Sequence, residues 1–183
     1  MKRILLLTVT LILLAFCNGN TLSNRIYSDL SVNDLQTDSY ETMEALGSQV
    51  FKFIQTNNLD KILTLVPNAD EWKAEIMKSA LPESKKIMTV SKNVNYWITE
   101  SIASLNETYS NFKQSSDSDG IDWSNYSIDY LDYRHTNKYN MQQADIYLYV
   151  SFDEEQYKIS LNDCIKTGQS WHIGNEISWK RLK

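Results

Sequence analysis

The stretch ADIYLYVSFDEEQYKISLN, residues 144–162, decides the fold of this chain. Apolar side chains occupy every second position on both sides of a polar break at residues 153–156. A two-residue period places alternate side chains on one face of a β-strand, and a short polar break is typical of a hairpin. The stretch therefore predicts two adjacent antiparallel strands. Their apolar positions are Ile146, Leu148, Val150 and Phe152, then Tyr157, Ile159 and Leu161.

The same two-residue period continues on both sides of this stretch. Upstream, Tyr126, Ile128 and Tyr130 alternate with polar residues, and downstream the pattern returns over residues 171–179 around Gly174. Polar breaks at residues 136–140 and 166–169 separate these segments. The pattern predicts four antiparallel strands in sequence order, with a bulge or sharp bend at Gly174 in the last strand.

Before Gly120 the apolar residues recur every three or four positions, which is typical of amphipathic helices. Helices are predicted from residue 39 to 56, over short segments at residues 59–66 and 69–80, and along residues 83–113, with residues 115–120 as a solvated loop. Trp72 lies on the apolar face of the third of these segments. Trp97 and Leu105 are expected to be buried against the sheet. The fold class is α+β, with N-terminal helices packed on a curved four-stranded antiparallel meander.

The first 17 residues have the composition of an export signal. Met1, Lys2 and Arg3 precede an apolar run of about 13 residues, which suits a signal-peptide core and is too short to span a bilayer. Cys17 follows Leu14, Ala15 and Phe16, an arrangement that resembles the bacterial lipoprotein signal except at Phe16. Two outcomes stay open: Cys17 is acylated and anchors the chain to a membrane, or the signal is cleaved nearby.

The remaining sequence divides into a tether and one domain. Residues 18–38 are rich in Asn, Ser, Thr and Asp and are expected to form a flexible tether. Residues 39–183 are long enough for a single domain. Apart from Cys17 the chain has one cysteine, Cys164, so no internal disulfide is expected, which favours a bacterial envelope protein.

Charge and motifs exclude several classes of partner and cofactor. Loss of Lys2 and Arg3 with the leader takes the formal net charge from −5 to −7, and no basic cluster offsets it. Nucleic acid is therefore excluded as a partner. The sequence contains no zinc pattern and no glycine-rich phosphate loop, and residues 117–120 match only part of a calcium loop. No cofactor or metal is predicted.

The C-terminal segment, residues 159–179, resembles the last hairpin of small exported bacterial proteins with the cystatin-like cone fold. That superfamily includes nuclear transport factor two, ketosteroid isomerase and the SnoaL-like cyclases. The resemblance rests on Leu161, Gly168, Trp171, Ile173 and Trp179. It implies a curved sheet that encloses a pocket. In the helical half of the chain only the order of the elements matches that fold, because several short helices precede the long one in this sequence.

Catalysis of the ketosteroid isomerase kind requires a carboxylate base and an oxyanion-stabilising pair. The spacing of the tyrosine and aspartate residues in the predicted strands does not identify such a pair. Strict alternation places Asp163 on the face of Leu161 and Ile165, whereas a bulge would turn Asp163 outward and Cys164 inward. The default interpretation of Asp163 is a surface aspartate. The residues considered for a pair are Tyr130, Asp129, Asp132, Asp145 and Asp163.

The two histidines and Cys164 carry no recognisable motif. His172 alternates out of phase with Trp171 and Ile173 and is expected to face the opposite side, and His135 lies at a strand end. Neither histidine has a cysteine or an aspartate at the sequence spacing typical of metal ligands. Cys164 is expected to be a small buried apolar residue rather than a nucleophile.

Seven of the eleven tyrosines lie between residues 126 and 157. Tyr147 and Tyr149 alternate with the aliphatic positions and are therefore expected on the sheet face that the helices leave uncovered. Such a face suits a binding partner, a ligand or a second copy of the chain. The alternative is cross-strand tyrosine pairing that stabilises the sheet.

Together these features predict an exported periplasmic or outer-envelope protein with a non-enzymatic binding or interaction domain. One alternative is a small periplasmic enzyme of the isomerase or cyclase type. The other is a structural lipoprotein without a ligand.

Overall fold

The computed structural model describes residues 40–138 and 140–182. The predicted signal, Cys17 and the tether lie outside the described residues. Five helices precede five strands in the described part of the chain. The helices are α1 (Met43–Gln55), α2 (Leu59–Leu63), α3 (Ala69–Lys78), α4 (Glu83–Lys92) and α5 (Val94–Ser118). The strands are β1 (Ser127–Lys138), β2 (Met141–Phe152), β3 (Glu155–Thr167), β4 (Ser170–His172) and β5 (Glu176–Arg181).

Side-chain caps start the first three helices. Thr42 accepts a hydrogen bond from the amide of Ala45 at 3.1 Å. Asn58 accepts from the amide of Lys61 at 3.1 Å. Asn68 forms a reciprocal capping box with Glu71, whose carboxylate accepts from the Asn68 amide at 2.8 Å. These bonds satisfy amides that the first turn leaves unpaired.

The prediction of one helix over residues 83–113 is wrong, because the chain breaks at Asn93 into α4 and α5. Ile87 and Met88 of α4 point to solvent, and α4 instead meets α3, where the Lys86 ammonium donates to the Met77 carbonyl at 3.0 Å. Apolar spacing continues across Asn93, so periodicity did not reveal the change of direction. Helix α5 also extends to Ser118, so most of the predicted loop is helical.

The strands form one curved antiparallel sheet that is not closed, which confirms the α+β prediction. Strand β2 lies between β1 and β3, and the other edge of β3 pairs with both β4 and β5. The predicted fourth strand is therefore two strands, separated by residues 173–175. Tight turns at Asn140, Asp153 and Gly168 join the hairpins, each with positive φ.

Gly174 explains the break between β4 and β5. A Cβ at this position would lie 2.0 Å from the Asn162 carbonyl oxygen and 2.5 Å from the Asp163 carbonyl carbon. Contact this close between two backbone segments requires a residue without a side chain. The predicted bend at Gly174 is confirmed, and its cause is the passage of the chain against β3.

The core lies between one face of the sheet and the helices. Helix α1 packs closely there, since a Cβ on Gly47 would lie 2.6 Å from a methyl group of Leu131. Helix α5 lies on β5, where the Trp179 indole donates to the Phe112 carbonyl at 3.2 Å. Leu105 is fully buried as predicted, whereas Trp97 is 37% exposed, which corrects the expectation of burial. Fully buried sheet residues include Ile146, Leu148, Val150, Ile159 and Leu161.

Candidate functional site

A β-bulge in β3 shapes the end of the sheet nearest the candidate site. Ala144 pairs with Cys164, but Ile146 pairs with Leu161, so β3 contains one residue more than β2 over this stretch. Asp163 takes a left-handed conformation, with φ of +57°, and is exposed, while Cys164 is fully buried. The bulge that would turn Asp163 outward and Cys164 inward is therefore present, and strict alternation does not hold.

The buried carboxylate of Asp145 holds the bulge in place. Its Oδ1 accepts a hydrogen bond from the Asp163 amide at 3.1 Å. Its Oδ2 accepts from the Arg134 guanidinium at 2.6 Å and from the Tyr147 hydroxyl at 3.4 Å. Asp145 thus connects β1, β2 and the bulged segment of β3. Because Arg134 already pairs with this carboxylate, the Tyr147–Asp145 contact does not provide a free base.

A cavity of about 450 Å³ opens between the bulge, the 173–175 segment and helices α3 and α5. We call it the tryptophan cavity. Trp72 of α3 and Trp97 of α5 line it, and their rings meet edge to face with centroids 6.2 Å apart and planes at 69°. The remaining lining residues are Val66, Pro67, Glu100, Ser101, Ser104, Gln143, Asp163, Ile165, Ile173, Gly174 and Asn175.

The polar lining of the tryptophan cavity is acidic and amide-rich. Glu100 and Asp163 contribute carboxylates, and serine, glutamine and asparagine side chains contribute hydrogen-bonding groups. None of the described residues that line it is Lys, Arg or His. In the described structure the buried Trp72 Nε1 has no hydrogen-bond acceptor. A buried indole N–H usually finds a partner, so Trp72, like Trp123, is an exception among the described residues.

His172 is buried behind the cavity wall, beside Ile173. Its Nε2 lies 3.6 Å from the Oε1 of Glu71, a residue of α3, so this helix packs next to His172. Trp171, His172 and Ile173 are all buried, so alternation here does not separate a core face from a solvent face. Burial lowers the pKa of His172, and the Glu71 charge opposes this shift.

Cys164 and His135 do not join the tryptophan cavity. Burial raises the pKa of the Cys164 thiol to about 12, so the thiolate is suppressed at neutral pH, as expected for a buried apolar cysteine. His135 is exposed, and its ring contacts those of Tyr133 and Trp171 at centroid distances of 5.3 and 6.3 Å. Asp129 accepts a hydrogen bond from the Ser151 hydroxyl at 2.6 Å, and Asp132 is exposed.

The tyrosines of β2 make contacts along the uncovered sheet face. Tyr149 stacks on Tyr130 of β1, with centroids 4.3 Å apart and planes at 11°. The Lys158 ammonium lies over the Tyr147 ring, 4.2 Å from its centroid. Both Tyr147 and Tyr149 are half-buried, while Tyr130 is 55% exposed. Cross-strand pairing accounts for these contacts, and a role as an interaction surface stays a prediction.

Two further features bear on function. Within residues 40–138 and 140–182, no three acidic, histidine or cysteine side chains come together as a metal site would require. Across the same residues, every helix is either too short or too polar to cross a bilayer.

Comparison with known proteins does not identify a relative of this chain, so its function is inferred from the geometry of the cavity. No protein-family model, no curated protein and no solved structure matches the chain. The cone-fold resemblance therefore stays an expectation. The pairing of Trp72 with Trp97 was not predicted either, since periodicity assigns the two residues to the apolar stripes of separate helices. The one available sequence signal was a tryptophan in each stripe.

Proposed function

We propose that this chain is an exported envelope protein whose domain binds a small polar molecule in the tryptophan cavity without catalysing a reaction. The export part rests on the composition of residues 1–17, and Cys17 is proposed as a lipid anchor for the domain. The binding part rests on one observation: two tryptophans meet at the wall of a cavity with a polar lining.

The size and lining of the cavity support a binding role. Ligand sites commonly occupy about 300–1,000 Å³ and combine apolar walls with a few polar groups. The tryptophan cavity, at about 450 Å³, falls in that range. Its rings, with Ile165 and Ile173, supply apolar surface, and Gln143 and Asn175 supply amide donors and acceptors.

The exposure of Trp97 points to the same role. Other apolar residues of α5, including Ile98, Ile102 and Leu105, are buried, yet Trp97 remains 37% exposed beside the cavity. A tryptophan exposes a large apolar surface to water, and such surfaces often mark binding sites. A ligand that covers this ring would remove that surface from water.

The position of the carboxylates favours binding over isomerase-type chemistry. In a site of that type a carboxylate base lies next to an oxyanion-stabilising pair that is held in an apolar environment. Glu100 and Asp163 are both exposed at the cavity rim. Asp145 is buried, but its charge is neutralised by Arg134.

Indole NMR of the purified chain tests this proposal. The chain has five tryptophans, and each contributes one indole ¹H–¹⁵N signal. Neutral monosaccharides, amino acids and small amines are added as separate probe classes. We expect at least one class to shift the signals of Trp72 and Trp97 and to leave those of Trp123 and Trp179 in place.

Trp97→Ala is the matching variant, because Trp97 is half-exposed and its removal spares the buried part of α5. The variant should stay folded and lose the probe-induced shift at Trp72. The proposal is wrong if no probe class moves the Trp72 and Trp97 signals, or if Trp97→Ala binds as tightly as the original chain.

A second proposal is self-association through the tyrosine-bearing sheet face. Tyr130 is exposed while it stacks on Tyr149, and the same face carries both signs of charge, from Asp132 on β1, Lys158 on β3 and Lys180 on β5. A face with both signs can complement a second copy of itself. Sedimentation at high concentration should show a dimer that Tyr130→Ser weakens, and a strict monomer removes this proposal.

A further inference from the structure

We infer that the molecule bound in the tryptophan cavity is a small organic cation of the ammonium class. This inference rests on the proposed binding function and specifies its ligand class. It follows from two properties of the lining: carboxylates with no basic side chain beside them, and two adjacent indole rings.

The cavity lining contains two carboxylates, those of Glu100 and Asp163. Neither Glu100 nor Asp163 forms an ion pair with a described residue, whereas Asp145 and Asp117 each pair with a basic side chain. The two unpaired carboxylates line the same cavity, and no basic side chain among the described lining residues offsets their charge. The cavity is therefore complementary to a positive charge.

The two indole rings also favour a positively charged ligand. The face of an aromatic ring is negative, and tryptophan attracts cations within about 6 Å of its centroid more strongly than the other aromatic residues do. The edge-to-face arrangement of Trp72 and Trp97 gives the cavity two ring surfaces at 69° to each other. The carbon substituents of an ammonium group would pack on the ring surfaces. Its positive charge would be attracted to the negative faces of the rings.

Choline represents this class of ligand. It carries a permanent positive charge on a methylated nitrogen, and it is small enough for a cavity of about 450 Å³. It therefore serves as the probe.

The experiment compares choline with dimethylbutanol, which has the same shape and hydroxyl but a carbon in place of the charged nitrogen. Both are titrated into the full chain while the indole signals are recorded. Choline should shift Trp72 and Trp97 and bind about tenfold or more tightly than dimethylbutanol, as expected for a cation–π contact supported by carboxylates. Both probes lack a titratable group near neutral pH, so the comparison isolates charge.

Variants then assign the charge preference to the lining. Glu100→Gln and Asp163→Asn should each weaken choline binding about threefold or more and leave dimethylbutanol binding unchanged. Asparagine is tolerated at the positive φ of residue 163, so this change preserves the bulge. Glu107→Gln, on an exposed position of α5 away from the cavity, is the matched control and should change neither affinity.

The outcomes separate this inference from the proposed function. Equal binding of choline and dimethylbutanol overturns the charge preference and leaves the cavity as a binding site. Failure of both probes also overturns it, and the neutral probe classes then decide whether the cavity binds anything. Choline binding that Glu100→Gln and Asp163→Asn do not weaken overturns the assignment to these carboxylates.

Discussion

Replacing Gly174 with alanine tests the close passage that forms one wall of the tryptophan cavity. The added methyl would lie 2.0 Å from the Asn162 carbonyl oxygen and 2.5 Å from the carbonyl carbon of Asp163. Both neighbours are backbone atoms in the bulge that Asp145 fixes, so a rotamer change cannot relieve the clash. Overpacking costs about 1–3 kcal/mol in general, and we expect about 3 kcal/mol here because backbone must move.

Gly120→Ala is the control for this change. Gly120 has a φ of +73° and open space around its Cβ position, so alanine there is strained without a clash. Left-handed strain costs about 1 kcal/mol. Urea unfolding followed by circular dichroism should therefore show a loss for Gly174→Ala that exceeds the loss for Gly120→Ala by about 2 kcal/mol. Equal losses, or a more stable Gly174→Ala chain, would refute the close passage.

Three further predictions concern buried polar groups. Asp145→Ala should lower the free energy of unfolding by about 2–4 kcal/mol, because it leaves the bulge amide without an acceptor. Arg134→Ala should cost less, about 1–2 kcal/mol, because Arg134 is 68% exposed and the Asp145 carboxylate keeps its bonds from the Asp163 amide and the Tyr147 hydroxyl. Equal losses in urea unfolding would contradict this asymmetry. Because burial lowers the pKa of His172, the unfolded chain binds a proton that the folded chain resists. Stability should thus fall as the pH drops below about 6.5, and His172→Gln should flatten that fall; identical pH slopes would show that His172 is not the cause. The Cys164 thiol, with its pKa raised to about 12, should react with a disulfide reagent only after denaturation in a Cys17→Ser chain, and prompt labelling of the folded chain would disprove its burial.

Side-chain alternation carried most of the correct fold prediction. Strands with one buried face must alternate, so residues 144–162 fixed the β2–β3 hairpin and its apolar side. Gly174 marked the bend correctly because a glycine inside a strand pattern usually signals a close approach or a bulge. The division of this segment into β4 before the bend and β5 after it depends on the bulge in β3. That bulge is a tertiary feature, so the local sequence does not reveal it.

The errors have a common physical origin. The apolar spacing of residues 83–113 continues across Asn93, and only the packing of α4 on α3 reveals the change of direction. Trp97 follows the period of buried residues, yet it faces the cavity that α3 and α5 form with the sheet. Residues 72 and 97 meet through the fold and not through local sequence, so the candidate site could not be predicted from spacing.

Nuclear Overhauser effects between bound choline and the indole rings test the central claim most directly. If the tryptophan cavity binds an organic cation, the choline methyl protons will show effects to ring protons of Trp72 and Trp97. They will show none to Trp123 or Trp179, which lie in the aromatic cluster around Tyr157. Effects confined to Trp123 and Trp179, or none at saturating choline, would contradict the account.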